Sequence, residues 1–281
     1  MKNRLTFLLT LVVLSFVNAQ IAYESKVFSS NSGSFDFKKI KTENATSEGT
    51  GKYSYLFLDL GARPLVHGGN AVSFRYVDES PSRDNLRTSF TLDPLKNIYG
   101  FRAGFLQGQT NHFGWQGDIG FAFGKKITSF SAFLGGGYDI QKNRLLIRPS
   151  LSAGFCHTSF KIGDVENNDV YIQVNDVKFY SKTASVYYTA NAFLIKPEVL
   201  FSYPITPTYD IRFHIGYTLQ VTGGEGGLDF SGQDQDKKNL SSTETLSAQN
   251  VYLSFNNNQY KDKSPFKYSG LNFGVGIALK L

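Results

Sequence analysis

The chain has 281 residues, of which 41% are hydrophobic and 19% charged, and its formal net charge is +6. A mean hydropathy of −0.23 excludes a bundle of transmembrane helices, while 25 Phe, 16 Tyr and 27 Gly exclude a disordered chain and disfavour a helical one. One Cys rules out an intramolecular disulfide, and no Cys/His spacing suits a zinc site.

Lys2 and Arg4 precede an apolar run from Leu5 to Val17, which ends at Val17-Asn18-Ala19. This pattern predicts a secretory signal peptide over residues 1–19, cleaved near Ala19/Gln20. The run is shorter than the ~20 residues that a spanning helix needs. Removal leaves 27 basic against 23 acidic residues, a net charge of about +4. With no basic stripe, no nucleic-acid partner is expected. Residues 20–52 are polar and rich in Ser, Asn and Thr. They read as a periplasmic lead-in in which Phe35, Phe37 and Ile40 offer local pairing.

From residue 53 the chain alternates with period two, the signature of strands with two unlike faces. Both faces of 53–61 are apolar, and Leu56, Leu58 and Leu60 are assigned outward, with Asp59 opposite. In 99–108, Tyr99, Phe101, Ala103 and Phe105 oppose Arg102. In 113–124, Phe113, Trp115, Ile119, Phe121 and Phe123 oppose Gly114, Gln116, Asp118 and Gly120. In 127–140, Phe130, Ala132, Leu134, Tyr138 and Ile140 oppose Ser129, Ser131 and Asp139. Segment 145–156 sets Leu145, Ile147, Leu151 and Phe155 against Arg148, Ser150 and Ser152. Segment 193–203 sets Phe193, Ile195, Val199, Phe201 and Tyr203 against Lys196, Glu198 and Ser202. In 209–219, Tyr209, Ile211, Phe213, Ile215, Tyr217 and Leu219 oppose Asp210, Arg212 and His214. In 271–281, Leu271, Phe273, Val275, Ile277, Leu279 and Leu281 oppose Asn272, Gly274, Gly276, Ala278 and Lys280. Pro149 and Pro197 lack a ladder N–H and predict a bulge or local break.

Short connections at 109–112, 141–144 and 204–208 alternate with long polar ones at 62–98, 157–192 and 222–268, apart from a tight turn at 125–126. This is the plan of an all-β, up-and-down antiparallel transmembrane β-barrel of eight strands over 53–281, with long extracellular loops. A ten-stranded barrel using 71–78 and 86–92 is the alternative. Within the loops, 72–76, 170–174 and 251–255 alternate and predict hairpins above the membrane.

The faces assign inside and outside. The polar face is largely Gly, Ala and Ser with scattered charges, which suits a narrow lumen filled by side chains. The apolar face carries no charge, as lipid contact demands. Trp115, Tyr138, Tyr203 and Tyr209 lie near the periplasmic ends and predict an aromatic girdle. Asp59, Arg102, Asp118, Asp139, Arg148, Lys196, Glu198, Asp210, Arg212 and Lys280 predict a lumenal charge network of five acids and five bases, with His214 among them. The expected hairpin registers place Phe113 opposite Gln107, hence Arg102 opposite Asp118. They also place Tyr203 opposite Tyr209, hence Glu198 opposite His214.

Signal peptide, eight strands and an apolar last strand resemble the small outer-membrane barrels of Gram-negative bacteria, OmpA- and OmpX-like, within the porin family of barrels. Asn272, Gly274, Ile277 and Leu279 fit that family's assembly signal, although Leu281 stands where an aromatic is usual. The resemblance implies Sec-type export to the outer membrane, lipid contact and recognition by the barrel-assembly machinery.

A search for chemistry yields no catalytic set. His157 and Ser159 form a His-x-Ser pair like that of barrel-type lipid A deacylases, but Phe160 replaces that family's following Asn. They read as an interfacial histidine beside a loop serine. His67 and His112 read as loop and turn residues, and Cys156 as a small lumenal one. Gly223, Gly224, Gly226 and Gly227 precede no helix and do not indicate a phosphate loop. Asp234 and Asp236 read as solvated. No cofactor or metal is expected. The expected function is that of a non-enzymatic barrel with a plugged lumen, whose extracellular loops bind an unknown ligand or support the envelope. The alternatives are a part of a secretion or transport assembly, a small channel, or a lipid A-modifying enzyme.

Overall fold

The computed structural model describes residues 51–67, 71–76, 86–91, 97–168, 170–223, 226–245, 251–256, 258–260 and 266–281. The expected signal peptide and all but the end of the lead-in lie outside these residues.

Eight strands form the barrel: β1 (Lys52–Pro64), β2 (Asn97–Gln109), β3 (Phe113–Gly124), β4 (Ile127–Tyr138), β5 (Leu145–Glu166), β6 (Thr183–Pro204), β7 (Tyr209–Gly223) and β8 (Gly270–Lys280). Each pairs antiparallel with the next in chain order, and β8 returns to pair with β1. Closure satisfies the backbone groups that an open edge would expose to hydrocarbon. The outward face matches the expectation in every strand. Leu58 and Leu60 on β1, Phe213 on β7, and Val275 and Ile277 on β8 are all exposed. Phe57, on the other apolar face of β1, is buried inside.

The ten-stranded alternative does not form. Ala71–Tyr76 pairs with Leu86–Thr91 and with Val251–Phe255 in a separate four-stranded sheet. Two segments expected as hairpins therefore pair with one another across different loops. The third region does form a hairpin, Ile172–Val174 with Val177–Phe179, turning at Asn175 with φ 52°.

The loop expected at 157–192 is largely strand. β5 and β6 each run for 22 residues, well past the apolar band. The alternation continues but its sense reverses. Up to Phe155 and down to Phe193 the outward residues are apolar, and the inward ones are mostly polar, with Leu146, Leu194 and Leu200 buried among them. Beyond them His157, Ser159 and Lys161, with Asn191, Thr189 and Tyr187, face out. Phe160, Ile162, Val186, Tyr188 and Ala190 are buried inside. The last group joins Ile172, Val174, Phe179, Leu228, Phe230 and Phe266 in one apolar core. Burying each large side chain there contributes roughly 1.5–3 kcal/mol. The hairpin Gly227–Gln233/Asn239–Thr245 pairs along β6 and widens this upper sheet. On its wet surface Asp164 accepts from Lys161 at 2.7 Å and from Ser185 at 2.6 Å. Partial burial pushes the Asp164 carboxyl up, but these two donors outweigh it and hold the group below its usual range.

The prolines break pairing on one side only. Pro197 pairs with Leu151 of β5, but the β6–β7 ladder skips from Ile195↔Leu219 to Glu198↔Gly216. Pro149 lies just past the end of the β4–β5 ladder, which stops at Gly137↔Ser150. Neither residue makes a bulge. The missing N–H is absorbed by leaving one neighbour unpaired.

Candidate functional site in the barrel lumen

Glycines opposite the charged residues make the lumen wide enough to hold them. A methyl on Gly276 would strike Asp59, and one on Gly274 would strike the His214 ring. Gly137 does the same for Arg148. Small residues on one strand therefore accept large ones from the next, which is how an eight-stranded interior fills.

Arg102 is the hub of the network. Its Nε donates to Asp59 Oδ2 at 2.9 Å, and its Nη1 donates to Glu198 Oε2 at 3.0 Å. Lys196 Nζ donates to Asp118 Oδ2 at 3.0 Å. Gln116 Nε2 donates to Ser150 and Ser152 at 3.1 Å and to Glu198 Oε1 at 3.3 Å. Arg212 and His214 approach Asp59 Oδ2 at 3.8 and 3.5 Å. The Arg212 guanidinium lies 3.8 Å from the Phe57 ring centroid, and Lys196 Nζ lies 4.3 Å from that of Phe133. Nearer the short turns, Arg148 Nε lies 3.5 Å from Asp139 Oδ1 and Ser202 donates to Asp210 at 2.8 Å. These groups come from β1 through β7 and from Asp139 just past β4, so their contacts tie the wall together across its interior.

The structure places ten of the eleven residues of the expected network inside. Lys280 is the correction. It keeps the inward parity but is exposed, because it is the last residue of β8 and stands at the mouth. Arg63 takes its place in the charge balance. Its Nη1 donates to Ser131 Oγ at 2.8 Å and its Nη2 to the Ser129 carbonyl at 3.2 Å. The sequence carries the signal, since Arg63 shares the parity of Asp59, but the expected strand ends at residue 61. Gln116, Phe57 and Phe133 also line the lumen and stand outside the expected network, as do Leu106, Leu200 and Ala278 in a cluster with Phe57.

Both expected hairpin registers are corrected by two residues. Gln107 pairs with Trp115, so Arg102 stands opposite Gly120 and, on its other side, Asp59. At this turn Asn111, with φ 60°, bonds through its N–H to the Asp139 carbonyl of the neighbouring strand end. The turn leans on that neighbour and draws more chain than a simple hairpin. Tyr203 pairs with Ile211, which sets Glu198 opposite Gly216 and Leu200 opposite His214. There the Thr206 hydroxyl accepts from the Tyr209 N–H at 2.9 Å and lengthens the loop.

Between the ionic layer and the upper core lies a cavity of about 80 Å³. Arg63, Arg102, Lys196, His214, Phe133 and Tyr268 are among the residues that line it. Phe133 and Tyr268 belong also to the apolar core, where Phe266 packs on Tyr188 and Phe160 at 5.2 and 5.4 Å. The lumen thus meets charge on one side of the cavity and a packed apolar layer on the other.

Trp115, Tyr138, Tyr203 and Tyr209 are exposed on the outer wall at the short-turn end, where Phe113 stacks edge-on against Tyr138 at 5.2 Å. In β8, Asn272 and Gly274 face in, and Asn272 donates to Thr218 at 3.2 Å. Ile277 is exposed on the outside and Leu279 shares its outward parity. His157 faces outward, with Nδ1 2.9 Å from Asn191 Oδ1. Cys156 is buried beside Ser129. Asp234 accepts from the Lys238 N–H at 2.8 Å, closing a surface turn. Among the described residues no group of His, Cys, Asp or Glu could hold a metal ion, and no helix is long and apolar enough to cross a membrane.

A closed eight-stranded ring with an apolar outer band, aromatics at one rim and charge inside is a transmembrane β-barrel of the outer-membrane type. Neither a protein-family model nor a curated protein matches the sequence. Among solved structures the chain is similar to a major outer membrane protein from Thermus thermophilus, at 11% identity and TM-score 0.43. That match covers 81% of this chain and 99% of the other. It is also similar to the deltaS2S3 mutant of TodX, a monoaromatic hydrocarbon channel, at 13% identity and TM-score 0.27, over 83% and 67% of the two chains. The outer membrane protease OmpT of Escherichia coli matches at 9% identity and TM-score 0.28, over 84% and 99%. Overlaps this loose transfer no residue's role.

Proposed function

We propose that this protein is a non-enzymatic outer-membrane barrel with a plugged lumen, serving envelope structure or surface binding through its extracellular side. The observation that carries this reading is the ionic layer around Arg102, which bridges four strands through Asp59, Asp118 and Glu198. A hydrated ion crossing there would have to separate buried pairs, each costly to break. The upper core supplies the rest of the argument, because its inward apolar residues fill the space that a pore would need. In this proposal the chain is exported with cleavage near Ala19/Gln20, and the assembly machinery reads β8 through Asn272, Gly274, Ile277 and Leu279. It stands beside OmpA- and OmpX-like barrels in strand number and plugged interior. Planar-bilayer recording of the purified protein tests the proposal. The expected result is no steady single-channel current, and discrete, reproducible openings would replace the plug with a channel.

A further inference from the structure

The upper half of the lumen carries an unbalanced cation. Around the cavity, Asp59 is held by Arg102 at 2.9 Å and Asp118 by Lys196 at 3.0 Å, while Glu198 shares Arg102 and Gln116. With Arg212 beside Asp59, three carboxylates face Arg102, Lys196 and Arg212. Arg63 is a fourth cation, and among the described residues its contacts are a serine hydroxyl and a carbonyl rather than a carboxylate. At the other end of the lumen Asp139 lies 3.5 Å from Arg148, and Asp210 accepts from Ser202. An unpaired cation that close to an apolar layer is costly.

Donors without acceptors converge on the same space. Arg63 Nε and Arg102 Nη2 are buried and have no hydrogen-bond partner among the described residues, and the buried Tyr268 hydroxyl has Thr158 near it but no close bond. All three residues line the cavity, as do Asp118 and Asp59, whose Oδ1 is also without a partner among the described residues, and Tyr268 is only 3% exposed. A buried donor left unsatisfied costs about 1–3 kcal/mol, more when charged, so the arrangement calls for an acceptor. By this measure of volume a water needs roughly 10–15 Å³. The cavity of about 80 Å³ therefore holds more than one water, or one small solute.

We infer that the cavity binds a small monovalent anion, such as a halide or short carboxylate, held between Arg63, Arg102 and the Tyr268 hydroxyl. One negative charge there balances Arg63 and supplies the acceptor that these donors lack. The anion is a resident of the plug, lodged against Phe133 on its apolar side.

The test uses the full mature chain. Heat-induced unfolding is followed in chloride and in gluconate, an anion too large for the cavity, at equal ionic strength. Bromide is then located by anomalous diffraction in crystals grown with bromide. The expected result is a higher transition in chloride and a bromide peak between Arg63 and Tyr268. Arg63→Gln should abolish both. Tyr268→Phe, which keeps the ring and removes only the hydroxyl, should weaken both and serves if Arg63→Gln fails to fold. A cavity holding only water, or a chloride effect that persists unchanged in the variants, would overturn the proposal.

Discussion

Inside the barrel, Glu198 accepts from Arg102 and Gln116 and lies 3.8 Å from Lys196. Glu198→Gln leaves those cations without their shared carboxylate, and it is expected to destabilise the barrel by about 3–5 kcal/mol, the cost of breaking a buried pair. Urea unfolding from lipid vesicles measures this. Loss well under 1 kcal/mol would mean that water already screens the network. Gly274→Ala places a methyl against the His214 ring and the Leu60 carbonyl. Overpacking of this kind costs typically 1–3 kcal/mol, and the same assay reads it. Which residues point inward is legible from parity alone, because a strand repeats every two residues. Which acid meets which base is not, since a two-residue change at the Asn111 or Thr206 turn slides every pair. Arg63 shows the other limit: its face is readable, but the end of its strand is not.

β6 carries two opposite patterns on one continuous strand. Phe193, Ile195, Val199, Phe201 and Tyr203 face out across eleven residues, the span a tilted strand uses to cross hydrocarbon (~9–11 residues). Asn191, Thr189 and Tyr187 face out above them. Lysine scanning along this face should therefore report the boundary. Val199→Lys is expected to cost ~2–4 kcal/mol near the midplane, and Asn191→Lys ~0–1 kcal/mol at the interface. Equal costs at the two positions would put the boundary elsewhere. The membrane segment is readable because its outer face excludes charge. The extension reads as loop because the same period is present with its hydrophobic sense reversed. Water replaces lipid outside, and an apolar core replaces the ionic lumen inside.

At the scale of the whole molecule, the ring closes through β8 on β1, so no strand can leave without opening two ladders. Unboiled protein is expected to migrate differently from boiled protein on denaturing gels, and identical migration would argue against a closed barrel. Topology has its own test. The hairpin turn at Asp234–Lys238 is largely exposed and lies beyond the apolar band. Trypsin added to intact cells should cut at Lys237 or Lys238 while sparing Lys196 and Arg148, which are buried in the barrel. Cleavage at the turn only after the outer membrane is permeabilised would place this end inside.

The sequence alone determined the eight strands, their outward faces and most of the inward charges, because lipid imposes a uniform rule on every second residue. The tertiary structure decided what that rule does not reach. It set the register at each turn, the pairing of loop segments far apart in the chain, and the apolar layer over the lumen. Those depend on contacts between distant residues, such as Phe266 on Tyr188 or Arg63 on Ser131, and no local period encodes them.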